Sequence, residues 1–306
     1  RYRNVQVYRY RCCTCHRTFR YYPEGVDQAD QTQRLRKLVA LYWVLGMSLR
    51  GVRIALSAFG ITLSHMTVWR DLQEQAEQLQ GRRRWQPVRV LGLDGTYVHG
   101  WDKRKHPVLV AVDLGNGQPV AIGQVDESNP WAVRRWLEPL VQRLGVSVIV
   151  TDDLASFRKV AEKLGLEHQV CQYQMRRWVG RALRELRETV PKEWLWVLDE
   201  IKHLLEELPP AGSRSLFELW KQISERRSGQ GQPLSPLSQL RALLLRLSEH
   251  WPAYRLFDWQ KEVPWTNNGT EQVIGRMKMR SRMVRGYKSG QGMSAALLLS
   301  GSGLNW

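Results

Sequence analysis

Three acidic residues are set so that they could do chemistry together: Asp94 in LGLDGTY, Asp152 in VIVTDD and Glu271 in WTNNGTEQ. The pattern places Asp94 where the first strand of a core sheet ends and Asp152 where a fully apolar strand ends. Glu271 falls on a helix far along the chain. If the two strands lie side by side and parallel, both aspartates emerge at one sheet edge, where loops are free of the ladder and functional groups collect. Three hard oxygen ligands are what Mg²⁺ or Mn²⁺ require. Two such ions, ~3.5–4 Å apart, would activate an attacking oxygen and stabilise a leaving one. Each residue alone has a plainer use. Asp94-Gly95 can make a turn, Asp152-Asp153 can cap the helix that follows, and Glu271 can complement a helix dipole. Spacing and setting together favour the joint use.

The elements that must position them follow from periodicity. VRVLGLDGTYV, HPVLVAVDLGNGQ and PVAIGQV read as three consecutive strands joined by Gly- and Asn-bearing turns. A helix from Asn129 to Leu144 follows, then the apolar strand VSVIVTDD of the kind buried on both faces, a helix from Leu154 to Leu164, and a short strand in HQVCQY. From about Met175 to Trp259 the chain is almost entirely helical, divided by Pro and Gly residues, and a last helix begins near Asn268.

Ahead of this core, residues 28 to 80 read as helices throughout. Thr32 to Leu45 forms one helix that stops at Gly46, Ser48 caps a second, and Ser64 caps a third after a turn containing Gly60. That order is a helix-turn-helix pattern. The outer face of its third helix offers Ser64, His65, Thr67, Arg70 and Gln73, types that pair with base edges or phosphates. Gly81 to Trp85 (GRRRW) closes the region as a basic linker.

Composition agrees with a nucleic-acid partner. There are 46 Lys and Arg against 29 Asp and Glu, a formal charge of +17, which strains a compact fold by self-repulsion unless a polyanion uses it. Apolar residues make up 43%, enough for a sizeable core. No apolar run approaches the ~20 residues of a membrane span, and RYRNVQVYRYR is basic and alternating, unlike a signal peptide. No membrane partner is expected, and the expected location is cytoplasmic, at the nucleoid when acting. Three of the four cysteines lie within Cys12 to Cys15, so a disulfide scaffold is excluded. Cys12 and Cys15 have the spacing of half a zinc site, Cys13 and His16 are awkwardly adjacent to them, and two ligands alone bind Zn²⁺ weakly.

The order β-β-β-α-β, with Asp on the first and fourth strands and Glu on a late helix, resembles the ribonuclease H-like core of DDE transposases. LGLDGTYVHG, VIVTDDLASFRKV and WTNNGTEQVIGRMKMRSRMVRGYKS resemble the three catalytic segments of prokaryotic insertion-sequence transposases, with the Mutator-like group the nearest. The resemblance implies an α/β fold: a ribonuclease H-like mixed sheet with an all-helical insertion at about 175–262. It implies a DNA transposase that hydrolyses phosphodiesters and transfers strands with two Mg²⁺ or Mn²⁺ ions on Asp94, Asp152 and Glu271. Asn267, Asn268, Arg276, Lys278, Arg280 and Arg282 would then contact DNA. Double-stranded DNA, as terminal inverted repeats and target, would be the partner, and the chain would form a homo-oligomer on it.

Two departures are visible. Relatives often carry Cys-x-x-His after the second Asp, whereas CQYQ puts Gln174 in the His position, and Asp153 stands where Gly commonly follows. The amino-terminal region resembles a zinc ribbon followed by a helix-turn-helix. The expected division is therefore a partial zinc-ribbon-like segment at 1–26, a helix-turn-helix domain at 27–84 and a catalytic domain at 85–306. The alternatives are a catalytically silent helix-turn-helix DNA-binding protein and a ribonuclease H-like nuclease. An intact carboxylate triad separates the first of these from an enzyme.

Overall fold

A computed structural model describes residues 6–23, 31–82, 86–100, 102, 104–224, 234–284 and 287–302. Arg83 to Trp85 of the basic linker lie outside them. The chain divides into two compact units, one built from residues 85–97 and 107–273 and the other from 1–84, 98–106 and 274–306.

The first of these units is centred on a five-stranded mixed sheet. Its strands are β3 (Val90–His99), β4 (Lys105–Asp113), β5 (Gln118–Gly123), β6 (Val148–Thr151) and β7 (Glu167–Val170), in the order β5-β4-β3-β6-β7. β4 pairs antiparallel with β5, whereas β3–β6 and β6–β7 are parallel. The first strand is thus central, with the hairpin strands on one side and the crossover strands on the other. This is the ribonuclease H-like order that the resemblance implies. β6 is buried at every position, as its unbroken apolar run requires. Helix α4 (Pro130–Leu144) starts where the Asn129 side chain accepts from the N–H groups of Trp131 and Ala132, and α5 (Ala155–Leu164) links β6 to β7. Val133, Leu137, Phe157 and Val160 on these helices pack with Leu91, Leu93, Leu109 and Ile149 of the sheet.

Helices α6 (Gln172–Thr189), α7 (Leu195–Glu207), α8 (Gly212–Gln222) and α9 (Pro236–Trp259) form the helical insertion. They enclose a core of their own that includes Val179, Leu198, Leu216, Leu244 and Trp251. Trp251 satisfies its indole by donating to Pro209 O at 3.0 Å. The last turns of α9 return to the sheet, where Leu256 packs with Val148 and Val150.

In the other unit, β1 (Tyr8–Arg11) and β2 (Thr18–Tyr21) form an exposed antiparallel hairpin. Helices α1 (Gln33–Val44), α2 (Leu49–Ser57) and α3 (His65–Arg82) follow. Thr32, Ser48 and Ser64 each cap the helix that the sequence assigned to them, accepting from Leu35 N, Gly51 N and Thr67 N. Val39, Val52, Leu56, Val68 and Leu72 form the buried side of these helices. Helix α10 (Asn268–Met283) begins in the sheet unit and ends in this one, and α11 (Gly290–Gly301) packs on α3 and α1.

Candidate active site

Strand register decides what meets at the sheet edge. Gly92 pairs with Val150 in the parallel β3–β6 ladder. Asp94 and Asp152 each lie two residues beyond that pair, so the two carboxylates come level on neighbouring strands. One detail corrects the sequence expectation. Asp94 does not end its strand, because β3 runs on to His99 on the side of β4. Asp94-Gly95 is therefore strand, not turn, and it is the partner strand β6 that stops, at Thr151.

Two glycines flank Asp94 for a steric reason. A Cβ on Gly92 would lie 2.2 Å from Thr270 Oγ1 and 2.5 Å from Asn267 Oδ1. A Cβ on Gly95 would lie 2.0 Å from Glu127 Oε2. Glycine within a strand marks such close approaches. The first lets the start of α10 dock on β3: Asn267, fully buried, donates to Leu93 O at 2.8 Å and accepts from Thr270 Oγ1 at 2.6 Å. That docking brings in Glu271, whose Oε1 accepts from Gln174 Nε2 at 3.1 Å. Gln174 thus meets Glu271 from the position where relatives carry His. Cys171, three residues earlier, is buried with its Sγ 3.4 Å from Asn267 N, and burial pushes its thiol up.

The electrostatics of the edge are those of crowded anions. Burial, then the charges of Glu127 and Asp152, pushes Asp94 up to about 7, against the opposing hydrogen bond from Gly95 N at 2.8 Å. Asp152 is also pushed up to about 7, by burial and then by Glu127, and its Oδ1 is buried with no hydrogen-bond partner. Among the described residues, no positive charge that would keep these carboxylates ionised enters the balance. They fit a divalent cation by donor type and by this orphaned oxygen. Among the described residues no three His, Cys, Asp or Glu side chains close into a complete cage as they stand. The arrangement is instead a register-matched aspartate pair with Glu127 and Glu271 near it.

Asp153 behaves differently from its neighbour. Its side chain is 1% exposed and bonds Arg158 Nη1 at 3.0 Å, Arg246 Nη2 at 2.8 Å and Tyr254 Oη at 3.0 Å. All of its capacity goes to joining α5 and α9 to the sheet, which leaves Asp152 as the carboxylate at the edge. Thr151, just before them, shares a 2.8 Å hydrogen bond with His168 Nε2. Burial pushes that imidazole down to about 4.

The residues expected on DNA separate into two groups. On α3, Ser64, His65 and Arg70 are exposed and Thr67 and Gln73 half-buried, while Val68, Leu72 and Ala76 turn inward. Ser64 Oγ is already engaged by Thr67, accepting from its N–H at 3.0 Å. On α10, Asn268, Lys278 and Arg282 are exposed. The structure corrects two others. Asn267 is fully buried in the docking just described. Arg280 is 2% exposed, donates to Met47 O at 3.3 Å and lies 4.0 Å over the ring of Trp43. Neither can reach DNA from there. Arg276 is half-buried and donates to Gly301 O at 3.0 Å. Cys12 and Cys15 sit at the turn of the β1–β2 hairpin, where hydrogen bonds from Cys15 and Thr14 lower the Cys12 thiol.

Glu127 escaped the sequence reading because its loop, QVDESNP, looks like an ordinary turn. The one signal for it was a glycine beside Asp94 in an otherwise strand-like run. Gln174 was visible only as a departure from a motif.

A mixed sheet in this order, with acidic residues at the edge of its central strand, defines a ribonuclease H-like core of the kind that DDE transposases use. Residues 133–295 match the model of the Transposase IS66 family. The match spans more than half of the chain, and the protein belongs to this family of DNA transposases, enzymes that cleave DNA and transfer strands and generally use divalent metal ions. The match bears out the resemblance to insertion-sequence transposases and says nothing of the Mutator-like group. No match is found among curated proteins. Solved structures with some likeness include the catalytic core domain of BIV integrase (15% identity, 52% of this chain and 82% of that chain covered, TM-score 0.23). Others are the simian T-cell lymphotropic virus intasome in complex with PP2A regulatory subunit B56 gamma (14%, 68% and 67%, 0.24) and the Drosophila P element transposase strand transfer complex (11%, 88% and 79%, 0.33). All three TM-scores lie below 0.5, so the family assignment rests on the sequence match. No helix among the described residues is long and apolar enough to cross a membrane.

Proposed function

We propose that Asp94, Asp152 and Glu271 are the catalytic carboxylates of this transposase and hold two Mg²⁺ or Mn²⁺ ions at the ends of an insertion sequence. The observation that carries this reading is the register: Asp94 on β3 is level with Asp152, the residue just past the end of the parallel neighbour β6, and a buried oxygen of Asp152 has no hydrogen-bond partner. When bound, the ions would activate first water and then a 3′-hydroxyl and stabilise the leaving oxygen. The protein's own part is placement. Gly92 admits the start of α10, Asn267 fixes it to β3, and Gln174 holds the Glu271 carboxylate from the side. Asp153 takes no part in the chemistry and instead anchors α9.

Residues 27–84 form the helix-turn-helix in this reading, and His65, Arg70 and Gln73 on α3 read the terminal inverted repeats. Asn268, Lys278 and Arg282 contact phosphates of repeat or target DNA. Catalysis at paired ends calls for a homo-oligomer on DNA, acting in the cytoplasm at the nucleoid. Cys12 and Cys15 supply half of a Zn²⁺ site, Cys13 and His16 are awkwardly adjacent further ligands, and two ligands alone would hold the ion weakly.

The test is cleavage and strand transfer on the element's own terminal DNA with Mg²⁺ or Mn²⁺. Asp94→Ala, Asp152→Ala and Glu271→Ala should each lose activity while still binding the ends. Cleavage retained by all three would refute the assignment. Specific binding without cleavage by the natural chain would favour the silent DNA-binding alternative.

A further inference from the structure

Helix α6 is basic on two sides, and the two sides differ. On one, Arg176 and Arg184 share a groove with Asp199, Lys202 and Glu206 of α7, so acids and bases meet there. On the other, Gln174, Arg177, Trp178 and Arg181 recur at i, i+3, i+4 and i+7, the spacing of a single helical stripe. That stripe lines a cleft of about 400 Å³ together with Arg246 of α9 and Asp152 at the sheet edge. All of these residues lie in the sheet unit.

The acids of this cleft leave the stripe unbalanced. Asp153 is taken up by Arg158, Arg246 and Tyr254. Asp152 responds to burial and to neighbouring acids, with no arginine in its balance. Arg177 and Arg181 are exposed, and among the described residues neither forms an ion pair. Like charges one turn apart on a helix repel, so within the chain this pair only costs stability. Arg246 adds a third guanidinium that is already held in place. Its Nη2 donates to Asp153 O at 2.9 Å and to Asp153 Oδ2 at 2.8 Å, and the group lies 4.2 Å over the ring of Trp178. A cation fixed in advance loses little freedom when an anion arrives. A merely solvated face would mix its signs, as the α7 side of the same helix does.

The spacing suits an anion of repeating charge. A rise of 1.5 Å per residue sets Arg181 about 6 Å beyond Arg177 along the helix axis. Phosphates of one DNA strand recur about every 3.4 Å along the duplex axis, so the two arginines can meet neighbouring phosphates. We propose that this cleft is a phosphodiester subsite, in which Arg177, Arg181 and Arg246 grip the DNA strand on one side of the scissile phosphate. The proposal rests on the metal-centre reading above. It gives α6 two duties: Gln174 near its start holds Glu271, and the arginines further along hold the strand that must reach Asp152.

The experiment measures affinity of the full-length protein for terminal DNA across a range of salt, with Ca²⁺ in place of Mg²⁺. Arg177→Gln combined with Arg181→Gln should weaken binding and lower the salt slope by about 2, at roughly 0.9 per phosphate contact. Its melting temperature should stay level or rise slightly, because like charges have been removed. Arg176→Gln combined with Arg184→Gln, the same change on the α7 side, should leave the slope as it is. Arg246 is kept intact because it also holds Asp153. Two shortened duplexes, each ending at the cut on one side or the other, locate the contact. On one of them the Arg177 and Arg181 variant should bind as the natural protein does. An unchanged slope on full-length DNA overturns the subsite, and so does a loss that persists undiminished on both shortened duplexes. Full cleavage by Asp152→Asn overturns the underlying metal centre instead and leaves the salt slopes untouched, so the two failures are distinguishable.

Discussion

The sheet edge and the basic run on α10 gather like charges by opposite geometries. At the edge, two aspartates from separate strands come level because a parallel ladder fixes their height, and the charges of Glu127, Asp152 and Glu271 all raise Asp94. On α10, Arg276, Lys278, Arg280 and Arg282 follow one another at every second residue. Successive members of such a series lie about 200° apart on a helix, so they cannot act as one patch. Arg276 and Arg280 share one side, where they bond Gly301 O and Met47 O, and Lys278 and Arg282 share the exposed other side. A charge run on a helix is two populations, one structural and one free, whereas charges at matched strand heights are a single population.

The sharpest way to break this comparison is at the neighbouring pair Asp152 and Asp153. Asp152→Ala should lower strand cleavage by about 10³-fold, the upper range for removing one charge-stabilising group from an active site, with little loss of stability. Asp153→Ala should instead destabilise the fold by about 3–5 kcal/mol, because it strands Arg158 and Arg246 beside a vacated buried partner. Denaturant unfolding of both variants checks this, and equal destabilisation would erase the distinction drawn between them.

A slightly smaller effect comes from pH. His168 is neutral in the fold, with its pKa pushed down to about 4 from 6.5 by burial and then by Arg158. The folded state therefore binds fewer protons than the unfolded one. Its contribution is present above pH 6.5 and is lost as pH falls toward 4, by about 3 kcal/mol in all. His168→Gln should flatten that part of the stability profile, which thermal unfolding across the range would show.

The smallest effects separate the two sides of α10. Arg280→Ala should cost about 2 kcal/mol through the lost stacking on Trp43, with no direct change at DNA. Lys278→Ala should leave stability alone and reduce the salt slope of DNA binding by about 1. A drop in DNA affinity from Arg280→Ala at unchanged stability would reverse the assignment of the two sides.

Much of this was readable in advance, for definable reasons. Alternation and apolar runs gave the strands, and Thr32, Ser48, Ser64 and Asn129 gave helix starts, because both signals are local. The convergence of Asp94 with Asp152 needed one added assumption, that their strands are parallel neighbours. Asn267 and Arg280 were misread because residue type alone does not tell which way a side chain turns. For Arg280 the i, i+2 spacing already carried the answer. Glu127 was hidden because nothing local in its loop points to Gly95, the residue over which its carboxylate lies. The tie from Asp153 to Arg246 and Tyr254 spans the whole insertion, and no local pattern reports such a pairing.

That last tie bears on attempts to miniaturise the enzyme. The helices between β7 and α10 look like a detachable block, and a designer seeking a compact version would cut there first. The cut has a fixed limit. Arg246 and Tyr254 hold Asp153, the buried Gln172 side chain reaches Tyr254 O, and Phe257 N donates to Gln169 Oε1 at 3.1 Å. The second half of α9 is in effect a buttress of the sheet that arrives late in the chain. A shortened enzyme can dispense with α7 and α8 only if some other tether returns the chain to Arg246.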